Sequence, residues 1–211
     1  MSEMPNFDQA KQYFEERLTT HGATPRGVDW NSETAQEQRF SQLVKVIDPR
    51  QPFSLLDYGA GYGALADYLL KQGYPLEQYT GYDVLASMVD KARETHQDLP
   101  QCTFTSRFED LQPVDFAIAS GIFNLKLETP DELWTQYVVD ELAKMDALAQ
   151  KGFSFNMLTK YSDPEYMRPH LYYADPCYLF DYCKRHFSRN VALLHDYEVY
   201  DFTIIVRKTV G

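Results

Sequence analysis

Cysteine is scarce in this chain of 211 residues. Its three cysteines, Cys102, Cys177 and Cys183, form no CxxC pair and have no histidine at the spacing of a zinc site. This usage argues against a disulfide framework and against a structural metal, and it is typical of a reducing compartment. We therefore expect a protein that binds no metal and works in the cytoplasm.

Basic residues are fewer than acidic residues, and long apolar runs are absent from the sequence. Lys and Arg number 20 against 31 Asp and Glu, which gives a formal net charge of −11. A surface of this sign repels phosphate groups, so neither nucleic acid nor an anionic membrane is an expected partner. No apolar run approaches the roughly 18 residues of a membrane-spanning helix, and the charged N-terminus is unlike a signal peptide. A small molecule is the expected partner, and the oligomeric state is left open.

Two helices are predicted before residue 50. Apolar residues recur at helical spacing from Phe7 to Leu18, and Gly22 follows at the place where a helix would stop. The second helix is predicted to begin after Ser32, which is a good N-cap, and to end at Asp48, because a proline follows.

From residue 52 short apolar strands alternate with helices. Strands are predicted at 53–59, 78–84, 102–106, 114–121, 152–158, 191–197 and 201–208, with helices at 64–73, 87–96, 131–150 and 175–187. Such alternation predicts a parallel sheet with helices on both faces. Only about five residues separate the last two strands, too few for a helical crossover, so the last strand is expected to run antiparallel. We expect one α/β domain over residues 1–211, with a helical cap at 1–50 and the core at 51–211.

Three glycines, Gly59, Gly61 and Gly63, follow the first predicted strand and precede a helix. A turn of this kind lets backbone N–H groups and the helix N-terminus approach a ligand closely. By itself the spacing is a weak match to the dinucleotide fingerprint. Two carboxylates narrow the choice of ligand. Asp57 would repel a pyrophosphate but attract an amino group, and Asp83, 24 residues after Gly59, stands where a carboxylate accepts hydrogen bonds from ribose hydroxyls.

These stretches resemble the class I S-adenosylmethionine-dependent methyltransferases, from about residue 52 to the C-terminus. "LLDYGAGYG" is similar to the first motif of that family, "YTGYDV" to the second and "VDFAIASGIFN" to the fourth-strand motif. The resemblance implies a Rossmann-like fold, with a seven-stranded, mostly parallel sheet and an antiparallel last strand, and S-adenosylmethionine as the cofactor. The residues that it assigns to the cofactor are Asp57, Gly59, Ala60, Gly61, Asp83, Val84, Met88, Ser120 and Gly121.

One motif departs from the family. "SRFEDL" puts Arg107 and Phe108 where the resemblance implies an acidic residue and then a small one beside the adenine. The usual side-chain contact to the adenine amino group is therefore not expected, and Phe108 is expected to offer its backbone N–H and to pack on the ring. The resemblance also implies that the N-terminal helices fold over the cleft. Trp30 and Arg39 would then close the site, with Arg39 pairing with the carboxylate of the cofactor. A solvent-exposed Arg39 is the alternative.

Methyl transfer from a sulfonium is an in-line displacement, so an enzyme mainly has to position the reactants. A general base is needed only when the nucleophile must lose a proton. The candidate catalytic residues are His170, whose imidazole can accept a proton near neutral pH, and Asn124, which follows the fourth strand. A solvent-exposed loop histidine and a turn-capping asparagine are the alternatives.

The connection over 158–176 is long and rich in tyrosine, which is typical of a functional lid. We expect its Tyr161, Tyr166, Tyr172 and Tyr173 to line the substrate pocket. His195 lies within a strand pattern, which favours a structural role.

The predicted function is methyl transfer to an oxygen or nitrogen atom of a small molecule. One alternative is an NAD(P)-dependent oxidoreductase that uses the same glycine loop, and a second is a non-catalytic scaffold that binds S-adenosylmethionine. Asp57 and the reversed last strand argue against the oxidoreductase, whereas only an assay of turnover would separate the scaffold from the enzyme.

Overall fold

A seven-stranded sheet forms the centre of the fold. The computed structural model describes residues 8–24, 27 and 32–209. Its strands are β1 Phe53–Tyr58, β2 Leu76–Tyr82, β3 Cys102–Thr105, β4 Val114–Ser120, β5 Ala149–Leu158, β6 Asn190–Leu194 and β7 Asp201–Arg207. Their order across the sheet is β3-β2-β1-β4-β5-β7-β6. β7 pairs antiparallel with both β5 and β6, and the other pairs are parallel. The predicted fold class is therefore confirmed.

Six α-helices accompany the sheet in the described ranges: α1 Asp8–His21, α2 Glu33–Leu43, α3 Ala64–Lys71, α4 Ala86–Thr95, α5 Asp131–Leu148 and α6 Pro176–His186. Two predicted N-caps are observed. The Ser32 hydroxyl accepts a hydrogen bond from the N–H of Ala35, and the Asp175 carboxylate accepts from those of Cys177 and Tyr178. None of the helices in the part of the chain that the structure describes is long and apolar enough to cross a bilayer.

Several element ends differ from the predictions. A 3₁₀ turn over Val44–Val46 replaces the last part of the predicted second helix. β5 begins at Ala149, three residues early, because Ala149 pairs in parallel with Val114 of β4. β6 ends at Leu194, so His195 lies beyond the strand and is exposed.

Both faces of the sheet are covered by helices. Leu55 and Leu56 are neighbours on β1, both are almost fully buried, and they belong to different apolar clusters. Because side chains alternate between the two faces of a strand, Leu56 packs in the cluster of Val138 on α5 and Leu55 in that of Leu65 on α3. Burial on both faces is the usual state of a central parallel strand. Polar groups that follow β1, β2 and β4 therefore meet at one edge, where the strands end.

His96, at the C-terminal end of α4, supports the turn that precedes α3. Its ring is 3% exposed, with Nδ1 2.8 Å from the carbonyl oxygen of Ala92 and Nε2 3.1 Å from a carboxylate oxygen of Asp67. Both partners are hydrogen-bond acceptors, so only the protonated imidazole can donate to both at once. The hydrogen bond to Asp67 raises the pKa of His96, with burial opposing. The ring lies so close to Gly63 that a Cβ there would be 2.7 Å from Cε1.

We expect the His96–Asp67 pair to make stability depend on pH. A raised pKa in the folded state means that the contribution is fully present below the unfolded value of about 6.5 and is lost as the pH rises through the folded value. Because Asp67 is mostly exposed, the contribution should not exceed about 1 kcal/mol.

Chemical denaturation of the wild type and of Asp67→Asn from pH 5.5 to 9 measures this contribution. The difference in free energy of unfolding between the two should be largest at the acidic end and should shrink as the pH rises. Other titrating groups are common to both proteins and cancel. The exposed Asp90→Asn on α4 is the control, and a difference that does not change with pH would contradict the assignment.

Candidate functional site

The glycine loop lies tightly on the edge of the sheet. The N–H groups of Gly59 and Ala60 both donate to the carbonyl oxygen of Tyr82, at 2.7 and 2.9 Å. Gly59 has a φ of 87°, and a Cβ on it would lie 2.2 Å from Cγ2 of Ile122. Both the backbone conformation and the space therefore require glycine at this position. The loop after β1 is thus joined to the end of β2 and packed against the loop after β4.

Asp83 strengthens this junction. One carboxylate oxygen accepts from the N–H of Gly61 at 2.9 Å, and the other accepts from the N–H of Leu85 at 2.9 Å. Burial raises the pKa of Asp83, and the two backbone N–H groups oppose the rise. Each carboxylate oxygen can accept more than one hydrogen bond, so Asp83 keeps capacity for the hydroxyls of a ligand.

Asp57 presents a buried carboxylate to the same place. It is 3% exposed, and one of its oxygens accepts a 2.5 Å hydrogen bond from the hydroxyl of Tyr79 on β2. Burial raises its pKa to about 7; the hydrogen bond from Tyr79 opposes the rise and the nearby charge of Asp83 adds to it. A cationic group of a ligand would stabilise the ionised form of such a carboxylate.

A cavity of about 430 Å³ brings these groups together, which is a usual size for a small-molecule site. Helices α1 and α2 contribute Lys11, Phe14 and Gln36 to its wall. The hydroxyl of Ser120, at the end of β4, is buried and has no hydrogen-bond partner among the described residues. The predicted site residues that line the cavity are Arg39, Asp57, Gly59, Ala60, Gly61, Asp83, Val84, Met88, Ser120, Gly121 and Asn124.

Two predicted cofactor residues are not brought to the cavity. Arg107 is exposed and lies 3.7 Å from the carboxylate of Asp110. The ring of Phe108 packs edge-on against Tyr82, and the ammonium group of Lys144 lies over its other side. Phe108 is thus held between β2 and α5 instead of facing the cavity. Trp30 lies outside the described residues.

The four tyrosines of segment 158–176 that were predicted to form the pocket wall do not line the cavity. Tyr161 and Tyr166 are about 60% exposed. Tyr172 is buried, but its hydroxyl lies 2.6 Å from that of Thr135 on α5. The hydroxyl of Tyr173 accepts from a backbone N–H within the same segment. Two of the four tyrosines are thus directed to solvent, and the hydroxyls of the other two are bonded away from the cavity.

The two predicted catalytic residues have different positions. His170 is exposed and lies away from the cavity, with its carbonyl oxygen accepting from the N–H of Leu127. Asn124 lines the cavity, while its side-chain oxygen accepts from the N–H of Leu158 at 3.0 Å. Asn124 therefore joins the loop after β4 to the end of β5. The segment after β5 reaches the cavity only through Leu171, which forms an isolated bridge with Leu125.

Arg39 of α2 forms a buried ion pair with Asp201 at the start of β7. Its Nε donates to a carboxylate oxygen of Asp201 at 2.7 Å, its Nη2 contacts the same oxygen, and its Nη1 donates to the carbonyl of Ala35. Asp201 is fully buried, which raises its pKa, and the charge of Arg39 opposes the rise. From the sequence, Arg39 is predicted to pair with the carboxylate of the cofactor. Because Arg39 is already paired with Asp201, it would have to bind both carboxylates at once.

Sequence reasoning missed one wall of the cavity. Helix α5 contributes Trp134, Tyr137 and Glu141, which lie opposite Tyr58 and Tyr82. The spacing of 134, 137 and 141 corresponds to one helical face. A glutamate on an otherwise apolar, buried helix face was the available signal, because such a residue seldom occurs without a partner.

Comparison with known proteins defines the class. Residues 56–149 match the model of a family described as a methyltransferase domain. Over 165 residues the chain is 46% identical to "Putative methyltransferase Rv1506c" of Mycobacterium tuberculosis (strain ATCC 25618 / H37Rv), covering 78% of this chain and 99% of that protein. The chain belongs to the class I S-adenosylmethionine-dependent methyltransferase family.

Two solved structures show the same fold at low identity. DhpI, in the complex DhpI-SAM-HEP, has a TM-score of 0.68 at 12% identity, with 99% of this chain and 100% of that chain covered. The N-methyltransferase NodS from Bradyrhizobium japonicum WM9, in complex with S-adenosyl-L-homocysteine, has a TM-score of 0.63 at 14% identity, with 95% and 98% covered. At these identities the likeness concerns the fold alone.

The Arg39–Asp201 pair should contribute strongly to stability. Removing one member of a buried pair leaves the other charge uncompensated, so we expect Arg39→Met or Asp201→Asn to lower the free energy of unfolding by about 2–4 kcal/mol. The double variant should lose clearly less than the sum of the two. Urea denaturation of the four proteins measures this coupling, and additive losses would contradict a direct pair.

Proposed function

We propose that this chain transfers a methyl group from S-adenosylmethionine to an oxygen or nitrogen atom of a small molecule. One observation carries the proposal: Asp57, the glycine loop and Asp83 line one cavity at the carboxyl ends of two adjacent strands. Ligands of open α/β sheets bind at this edge. When bound, the sulfonium of the cofactor supplies an activated methyl group.

The residues of the cavity fit the groups of the cofactor. The buried carboxylate of Asp57 suits an ammonium group, and that of Asp83 suits the hydroxyls of a ribose. The unpaired hydroxyl of Ser120 is a further polar group directed at a ligand. The glycine loop allows the backbone to approach closely.

The acceptor would lie on the side of the cavity formed by Leu125, Leu158 and Leu171, beside Asn124. Of the two predicted catalytic residues, Asn124 alone lines the cavity, and we assign it the role of positioning the acceptor. Phe14 of α1 contributes to the wall of the cavity. A net charge of −11 favours a small acceptor over nucleic acid. The N-methyltransferase activity named for NodS supports nitrogen as an acceptor atom.

We also propose that the chain forms a single domain with an N-terminal cap. Residues 1–50 would act as a cap of a single domain, which the presence of α1 and α2 in the cavity wall supports. The three cysteines are all free thiols, in keeping with the predicted cytoplasmic location.

Ligand binding tests the cofactor. S-adenosylhomocysteine at about 100 times its dissociation constant should stabilise the protein by roughly 2.7 kcal/mol and raise the unfolding midpoint by about 5–10 °C. In Asp83→Asn the affinity should fall by about tenfold to a hundredfold, because a carboxylate acceptor is lost. The exposed Asp98→Asn is the matched control.

Two results would contradict the proposal. A shift of the unfolding midpoint with NAD and none with S-adenosylhomocysteine would favour the oxidoreductase. Transfer of a labelled methyl group to RNA but to no small molecule would contradict the acceptor class.

Binding should also depend on pH through Asp57. Its pKa of about 7 means that the carboxylate becomes protonated as the pH falls below 7. An ammonium group prefers the ionised form, so the affinity for S-adenosylhomocysteine should fall toward acidic pH, approaching tenfold per pH unit.

Calorimetry from pH 5.5 to 8.5 measures this dependence, and Asp57→Asn should abolish it. Tyr79→Phe should move the midpoint to higher pH, because the lost hydrogen bond stabilises the ionised form. An unchanged dependence in Asp57→Asn would assign it to another group.

A further inference from the structure

The wall of the cavity contains a polar cluster that the proposed function does not use. Tyr58 on β1 is paired with Tyr82 on β2, and their ring centroids are 5.0 Å apart. Tyr137 and Glu141 of α5 line the same cavity, and Glu141 contacts Tyr58. Glu141 is only 6% exposed. We call these four residues the tyrosine–glutamate cluster. Burying a carboxylate destabilises the folded state unless the carboxylate has partners. The presence of Glu141 in the wall of a cavity therefore suggests a function in binding.

The carboxylate of Glu141 is held in one orientation. One oxygen accepts a 2.5 Å hydrogen bond from the hydroxyl of Tyr58, and the other lies 2.5 Å from the ammonium group of Lys144. Burial raises the pKa of all three tyrosines, that of Tyr82 to about 12, and the charge of Glu141 adds to each. Each carboxylate oxygen of Glu141 can accept a further hydrogen bond, so Glu141 offers an oriented acceptor in the wall of the cavity.

The position of the cluster relative to Asp57 and Asp83 indicates which part of a ligand it meets. Asp57 and Tyr58 are consecutive on β1, so their side chains point to opposite faces of the sheet, toward Tyr79 and toward α5 respectively. Asp83 comes directly after Tyr82 of the cluster, lines the same cavity, and is close enough to Asp57 for its charge to raise the pKa of that carboxyl. A nucleoside whose ribose is held by Asp83 and whose amino-acid end is held by Asp57 would extend its base toward the cluster.

The side chains at the alternative position for recognising the base do not line the cavity. Arg107 is exposed at the surface, and Phe108 packs behind Tyr82 and beneath Lys144. Glu141, Tyr82 and Val84, by contrast, all line the cavity.

Resting on the proposed function, we propose that Glu141 determines base specificity by accepting a hydrogen bond from the exocyclic amino group of the adenine. Tyr58 and Lys144 are positioning residues that hold its carboxylate. A base with a carbonyl oxygen at that place would set an acceptor against a buried carboxylate, and both would lose their hydrogen bonds to water. The cluster should therefore reject the 6-oxo analogue.

The test compares S-adenosylhomocysteine with S-inosylhomocysteine, which has a carbonyl oxygen in place of the amino group. By calorimetry the wild type should bind the adenosyl compound about 10- to 100-fold more tightly. In Glu141→Gln this preference should shrink at least tenfold, because a carboxamide can donate to the carbonyl oxygen. Glu132→Gln, an exposed position on α5, should keep the wild-type preference.

Each result separates this role from the proposed function. Equal binding of the two compounds by the wild type would overturn the role of Glu141 while leaving cofactor binding intact, and this comparison needs no variant to fold. An equal loss of affinity for both compounds in Glu141→Gln would show a structural role and overturn the specificity. If the wild type bound neither compound, both proposals would fail.

Discussion

The carboxylate of Asp83 is the constraint on which the site depends. It accepts N–H groups from Gly61 and Leu85, and so joins the loop after β1 to the loop after β2. The carbonyl of Tyr82 completes the junction by accepting from the glycine loop. Because these bonds determine how far apart the two loops lie, they also set the width of the cavity between them. A ligand that uses Asp83 would engage the same group that shapes its own site.

Three buried carboxylates lie in or near the wall of this cavity. Asp57 and Glu141 line it and Asp201 is paired with Arg39, which lines it, and each of the three is less than a tenth exposed. Asp201 is paired with Arg39, an arrangement that ties α2 to the sheet. Asp57 has the hydroxyl of Tyr79, which leaves its charge largely uncompensated. Desolvation on this scale is costly for the fold, and such perturbed groups cluster at functional sites. The carboxylate of Asp57 is thus better explained by binding than by stability.

The predictions that held depend on local signals. Connection length alone required the reversed β7, and the hydrogen-bonding capacity of Ser32 and Asp175 marked two helix starts. The four tyrosines predicted to line the pocket do not line the cavity of the structure, because composition does not say which way a side chain points. Tyr172 turns to Thr135 on α5, and Leu171 reaches the cavity instead.

The sequence by itself determined the order of the elements, the parallel sheet and the set Asp57, glycine loop and Asp83, since periodicity and strand ends are properties of short stretches. Only the tertiary structure decided which distant side chains complete the cavity. Tyr58 meets Glu141 across 83 residues, and Arg39 meets Asp201 across 162. These contacts follow from how helices lie on a twisted sheet. That packing is settled by the whole core at once, so no local pattern encodes it.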